Sequence, residues 1–368
     1  MQHHVHHIPA TMSGVVLTGH GGLDRLEWRD DLPVPRPGPD EVLIRVHASS
    51  VNNTDINTRA AWYSKSVRGD TASVAGDGAA PVATSDGAWS GTPIAFPLIQ
   101  GADCCGEIVA VGASVPEARL GERVLVRVLQ STGAPGGELS TWTLGSECDG
   151  AFAQYTKTFA NDALPVRSDW SDLELASIPC AYSTAEAMLQ KVGLGAERVL
   201  ITGASGGVGL AAVQLAKRRG AHVTAMSGAA KAAAIRAAGA DATLGREAPL
   251  PRDAFDVVVD VVAGPRWPAL LDALRRAGRY VAAGAIAGPI VELDVRTLYL
   301  RDLTLFGSTF QPDRVFTDLI GYIERDEIRP WVAAAFDLAQ LREAQRAFLD
   351  KQHVGKIVIR VDHPEIAR

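Results

Sequence analysis

The apolar positions along this chain change period near residue 177. Upstream, Gly14 to Leu17, Glu41 to Ala48, Gly106 to Val111 and Arg123 to Val128 read as strands, with Pro33 to Pro39 a stiff connector after the first. Downstream of Ser177 short apolar runs near 199–203, 222–227, 241–244, 255–263 and 279–286 alternate with helix-like runs. That alternation predicts a parallel sheet with helices on both faces, an α/β architecture joined to a β-rich first domain. After a strand at Leu303 to Ser308, the pattern predicts a helix at Asp313 to Arg325, a run at Trp331 to Leu338, a helix at Gln340 to Asp350 and a last strand at Lys356 to Val361. These final pieces are mixed again, so the expected division is 1–177 (β-rich), 178–312 (doubly wound) and 313–368 (returning to the first domain). Between Tyr63 and Pro97, Gly, Ala, Ser, Thr and Asp dominate, which predicts a long surface loop without a core of its own.

Residues 199–220, VLITGASGGVGLAAVQLAKRRG, carry the most chemistry. Val199 to Thr202 form a buried strand pattern, and Val208, Ala211, Ala212, Leu215 and Ala216 recur at helical spacing. The turn between them fits a dinucleotide fingerprint framed on Ala204. Ala204 makes the tight turn, Gly206 permits close approach of phosphate, and Gly209 permits close packing of helix on strand. Ser205, Gly207 and Val208 complete the turn, whose N–H groups and helix dipole suit an anion. In its strand–helix–strand setting this predicts the turn of a Rossmann domain, with a tight glycine-rich turn that holds no ligand as the alternative. No Gly-Lys-Ser/Thr follows it, which excludes a phosphate-transfer loop.

Composition narrows the reading. At 368 residues two domains are expected, and 47% hydrophobic with 21% charged residues is globular. A net charge of −6 gives no basic face for nucleic acid. No run approaches the ~18 apolar residues of a membrane span, and the expected location is cytoplasmic. Cys104, Cys105, Cys148 and Cys180 fit free thiols better than a disulfide framework. His3, His4, His6 and His7 belong to an expected unstructured leader, with adventitious metal chelation as the alternative.

The order of segments resembles the medium-chain dehydrogenase/reductase superfamily over nearly the whole chain. The segments that carry it are PRPGPDEVLIRVHASSVNNTD at 35–55, QGADCCGEIVAVG at 100–112, GERVLVRV at 121–128, GAFAQY at 150–155, the turn at 203–209 and HVGKIVIRV at 353–361. The resemblance implies a catalytic domain related to the chaperonin-10 cap, a Rossmann domain, and an active site in the cleft between them. In the zinc enzymes of that superfamily a cysteine stands where this chain has Asn52, and Gly-His-Glu where it has Gly101-Ala102-Asp103. Only Cys180 matches a third ligand, and a catalytic zinc needs three protein ligands. The stretch 128–150 holds one cysteine, Cys148, where those enzymes carry four in a structural lobe. The expectation is a zinc-free centre of the quinone oxidoreductase type.

An NAD-preferring fold places an acid roughly 20 residues beyond the glycines. Here the second strand ends without one, and Ser227 and Lys231 stand where a 2′-phosphate would need a hydroxyl and a cation, which favours NADPH; a merely solvated Lys231 is the alternative. The expected reaction is hydride addition to a quinone or an α,β-unsaturated carbonyl. Asn52 is the candidate donor to the developing oxyanion, or else a turn-forming residue. Tyr63 is the candidate to orient substrate or pass a proton, or else it packs with Trp62 to anchor the following loop. By resemblance Thr184 meets the nicotinamide, with or without an N-cap role; Cys180 lines the pocket or is a buried hydrophobe; Asp103 supports the site. The 64–96 loop edges the cleft or is surface decoration, and the apolar strand at Leu303 to Ser308 suggests a homodimer. The rival readings are an alcohol dehydrogenase holding zinc through Cys180, Asp103 and another ligand, and a dinucleotide-binding protein without chemistry.

Overall fold

The computed structural model describes residues 8–76, 79, 83–130 and 142–363; the His-rich leader, part of the 64–96 loop and much of the 128–150 stretch lie outside the described residues. The first domain runs β1 (Thr11–Leu17), β2 (Leu26–Pro33), β3 (Glu41–Ser50), α1 (Asn53–Arg59), α2 (Thr71–Ala75), β4 (Leu98–Ile99), β5 (Cys105–Val111), β6 (Arg123–Val126), β7 (Tyr155–Phe159) and β8 (Ala163–Pro165). Short α3 (Asp172–Leu175) and α4 (Pro179–Lys191) lead into β9 (Arg198–Ile201), α5 (Gly207–Arg218), β10 (His222–Ser227), α6 (Ala232–Ala237), β11 (Ala242–Gly245), β12 (Phe255–Asp260), α7 (Trp267–Ala273), β13 (Leu274–Ala282), α8 (Val295–Leu300) and β14 (Thr304–Gly307). The chain ends with α9 (Asp313–Glu324), β15 (Val332–Asp337), α10 (Leu341–Leu349) and β16 (Lys356–Arg360).

The second unit is a parallel sheet in the order β11-β10-β9-β12-β13-β14, reversing direction of growth between β9 and β12. Ligands of such sheets bind at that reversal, beyond the carboxyl ends of the strands. Both faces are covered because the strands are apolar on both. Val199 and Ile201 of β9 enter one core with α4 and α5, while Leu200 enters another with α7.

The first unit wraps a sheet ordered β15-β16-β3-β5-β6-β8, with β7 also paired to β3 and a small β2-β1-β4 sheet beside it. β3 is central, so Val42, Leu43, Ile44, Val46 and Ala48 are all buried, on both faces of the strand. The return to this domain starts later than the expected residue 313. Phe316, Leu319, Ile320 and Ile323 of α9 pack into the core of α4 and α5, and only from β15 onward does the chain join the first sheet. The polar 64–96 stretch also departs from expectation. It buries Ser64, Thr71, Ala75 and Ala88, and the buried Arg59 guanidinium holds it by donating to the carbonyls of Gly21 (2.7 Å) and Ala75 (3.0 Å) and to Gln345 Oε1 (3.0 Å). Among the described residues no helix is long and apolar enough to cross a membrane.

Candidate active site

The glycine turn sits at the carboxyl end of β9. Gly203 has φ +58°, and a Cβ there would meet the Val261 side chain at 2.9 Å. A Cβ on Gly209 would lie 2.3 Å from the Gly203 carbonyl oxygen, so α5 can approach the turn only without a side chain. Gly206 is different. A Cβ there meets only the Gly203 oxygen at 3.5 Å, so the fold itself leaves a cradle beside the first N–H groups of α5. The turn is shaped by Asp260 at the end of β12, which accepts from Thr202 Oγ1 (2.5 Å), Tyr280 OH (2.7 Å) and Val262 N (2.8 Å). The last strand also clips it, because Gly355 N donates to Ser205 O at 3.0 Å.

At the end of β10, Ser227 is buried and its hydroxyl donates to Gly228 O at 3.2 Å. Lys231 is not merely solvated: its ammonium donates to the carbonyls of Lys351 (2.5 Å) and His353 (2.8 Å). That contact gathers further basic groups at the same ledge. Burial and the charge of Lys231 bring the Lys351 ammonium down to about 8, and burial with Lys351, Lys231 and Lys356 pushes His353 down to about 4. Among the described residues His353 Nδ1 is buried without a hydrogen-bond partner.

The corner that the resemblance implies would hold zinc in the metal-dependent enzymes is filled by side chains of this chain. Asn52 Nδ2 donates to Asp103 Oδ2 (2.7 Å) and Ser50 O (3.2 Å), and Asn52 Oδ1 accepts from Lys356 Nζ (2.5 Å). An ammonium only donates, so the amide orientation is fixed and both amide hydrogens are committed. Asn52 therefore holds Asp103 and bonds to the nearby Ser50 carbonyl, which fits the turn-forming alternative and not that of a free donor to substrate. Lys356 also pairs with Asp103 Oδ2 at 3.1 Å, both groups being buried. Asp103 further accepts from Ser50 Oγ and, at Oδ1, from Cys180 N (2.6 Å). Asp55 caps α1 by accepting from Asn52 N (2.8 Å), and burial raises its carboxyl to about 7. Burial and the Asp103 charge push the Cys180 thiol up, which keeps it neutral.

Tyr63 stands beside this corner, and its hydroxyl donates to Thr54 Oγ1 at 3.2 Å. Its ring lies edge-on to Trp62 and parallel to Trp89, with centroids 5.9 Å apart in each pair. Trp89 in turn packs on Ala102, Val128 and Cys180. So the 64–96 stretch edges the cleft. It also spans it, since Thr71 N donates to Ile286 O (3.2 Å), just beyond β13. Thr184 falls in the second turn of α4, after Ile178 at the N-cap and Pro179 at the first helical position; its expected capping role is corrected. Thr54, Trp89, Lys351 and Lys356 are site residues that sequence reasoning did not single out. For Lys356 a signal existed, a lysine beside glycine at the start of an otherwise apolar strand.

Comparison with known proteins gives the class. Residues 38–168 match the model of the alcohol dehydrogenase GroES-like domain, and residues 207–325 that of the zinc-binding dehydrogenases. A crystal structure from Sinorhizobium meliloti 1021, provisionally designated an alcohol dehydrogenase, superimposes with a TM-score of 0.85 at 41% identity, covering 97% of this chain and 98% of that one. Among curated proteins, acryloyl-coenzyme A reductase of Sulfurisphaera tokodaii is 25% identical over 95% of this chain and 100% of its own length. A chloroplastic quinone-oxidoreductase homolog of Spinacia oleracea is also 25% identical, over 95% and 98%. The chain belongs to the medium-chain dehydrogenase/reductase superfamily, in its quinone oxidoreductase-like branch. It is an oxidoreductase of a dinucleotide-binding class.

Proposed function

We propose that this protein is an NADPH-dependent reductase of quinones or α,β-unsaturated carbonyls that works without zinc. The observation that carries the reading is the buried Lys356–Asn52–Asp103 cluster. A divalent ion in that corner would find Asp103 and Cys180 as its charged ligands, two where catalytic zinc requires three, with Asp103 already paired to the Lys356 ammonium and both Asn52 amide hydrogens committed. Without a Lewis acid, an acceptor that is already electrophilic suits the site.

The turn Ala204, Ser205, Gly206, Gly207 and Val208 would hold the pyrophosphate of a nicotinamide dinucleotide, which when bound in its reduced form supplies hydride. Ser227, Lys231 and Lys351 would meet the adenosine 2′-phosphate. Lys231 keeps one ammonium hydrogen beyond its two carbonyl bonds, and Lys351 adds a second charge. Thr184 would border the nicotinamide. Tyr63 and Thr54 form a hydroxyl pair beside the corner, able to pass a proton to the acceptor oxygen as charge develops there. Asn52 and Asp103 keep α1, and with it Thr54, in register with α4. A homodimer would form through β14, an edge strand flanked by exposed Ile290, Leu293, Val295, Tyr299 and Leu300.

The test is loss of reduced-nicotinamide absorbance with NADPH or NADH against a panel of quinones and enones, before and after chelator treatment, on protein freed of its His-rich leader. Turnover favouring NADPH and indifferent to chelator supports the reading. One tightly bound zinc per chain, or activity only as an alcohol dehydrogenase, refutes it.

A further inference from the structure

Trp89 belongs to the polar 64–96 stretch, yet it is held where chemistry takes place. The turn that presents it is closed by backbone bonds, Ala88 N donating to Thr92 O and Gly91 N to Ala88 O, both at 3.0 Å, with Gly91 at φ +77° and the Ser90 and Thr92 hydroxyls bonded at 2.7 Å. Side chains of the first domain fix its position, Ser146 Oγ accepting from Trp89 N (3.2 Å) and Glu147 Oε1 from Ser90 N (2.7 Å). None of these bonds involves the indole. The indole N–H has no acceptor among the described residues, and the ring is only half-buried. One part of it lies parallel to Tyr63, at 8° between planes; another packs against Ala102, Val128 and Cys180, above the Asn52–Asp103 corner.

We propose that Trp89 is a specificity-determining residue that selects planar, conjugated ring acceptors by stacking, its free N–H meeting an acceptor carbonyl. The part of the Trp89 indole left uncovered by Tyr63 and by Cys180 offers a flat aromatic surface, which favours a flat ring over an acyclic chain. The proposal rests on the reductase reading above and names the substrate class for it.

The experiment compares wild type, Trp89→Ala and Trp89→Phe with NADPH, using menadione as ring acceptor and methyl vinyl ketone as acyclic acceptor. Trp89→Ala is expected to raise KM for menadione about three- to tenfold at little-changed kcat. Its kcat/KM for methyl vinyl ketone should stay within about twofold, and Trp89→Phe should recover part of the menadione affinity. Equal losses on both acceptors, or a wild type that reduces methyl vinyl ketone but not menadione, overturn the proposal. If wild type reduces neither, the reductase reading falls by itself. Calorimetric titration of menadione into the NADP⁺-loaded proteins then decides: weaker binding by Trp89→Ala sustains the role of Trp89, and equal binding removes it.

Discussion

Two parts of the cleft are built on opposite plans. In the corner around Asp103 the carboxylate, the amide of Asn52 and the ammonium of Lys356 satisfy one another. Along the glycine-turn side, Gly206 leaves room for a side chain, basic groups crowd together, and His353 Nδ1 has no partner among the described residues. Saturated polar groups are scaffold, because nothing remains for a ligand to complete. Groups held with unused capacity mark where a ligand belongs.

Breaking the saturated corner should have the largest effect. Lys356→Met leaves Asp103 charged and buried, and is expected to cost about 3–5 kcal/mol in urea unfolding; adding Asp103→Asn should restore about half. Next comes a change that separates fold from function. Gly206 has extended backbone (φ −82°, ψ 173°) and room for a side chain, so Gly206→Val should alter stability by no more than about 1 kcal/mol. It should nevertheless raise KM for the dinucleotide at least about tenfold, because the added methyls occupy the cradle.

The cationic ledge predicts a pH dependence. Lys351 is protonated below about 8, so affinity for NADPH should fall as pH rises through that value, while affinity for NADH should not. Lys351→Met should raise KM for NADPH about fivefold and flatten the profile, measured from about pH 6 to about pH 10. The smallest effect is expected at the strap. Thr71 is the first residue of α2, where proline is tolerated, so Thr71→Pro removes little more than the N–H bond to Ile286 and the Thr71 hydroxyl bond to Asn57. KM for the acceptor should change about twofold, with Thr71→Val isolating the hydroxyl's share.

The glycine turn and the doubly wound sheet were legible because their constraints are local. Gly203 needs a left-handed φ, Gly209 needs close packing, and strand and helix periods sit on either side. The corner was not legible, because the partners that determine what Asn52 can do lie 51 and 304 residues away in Asp103 and Lys356. Asn52 alone reads as a donor; in company it is a brace. Trp89 was hidden by its surroundings, a polar tract whose composition suggests solvent, while single residues such as Thr71 and Ala88 are buried in it. The position of α9 was misjudged for a related reason. A helical period shows that one face is covered, and the covering partner, α4, is set by topology.

The bond from Gly355 N to Ser205 O ties the final strand of one domain to the glycine turn of the other. Beside it, the Lys231 ammonium donates to the carbonyls of Lys351 and His353, so both the turn and the end of β10 are joined to the run into the last strand. The bond from Thr71 N to Ile286 O joins the same two units at a second point.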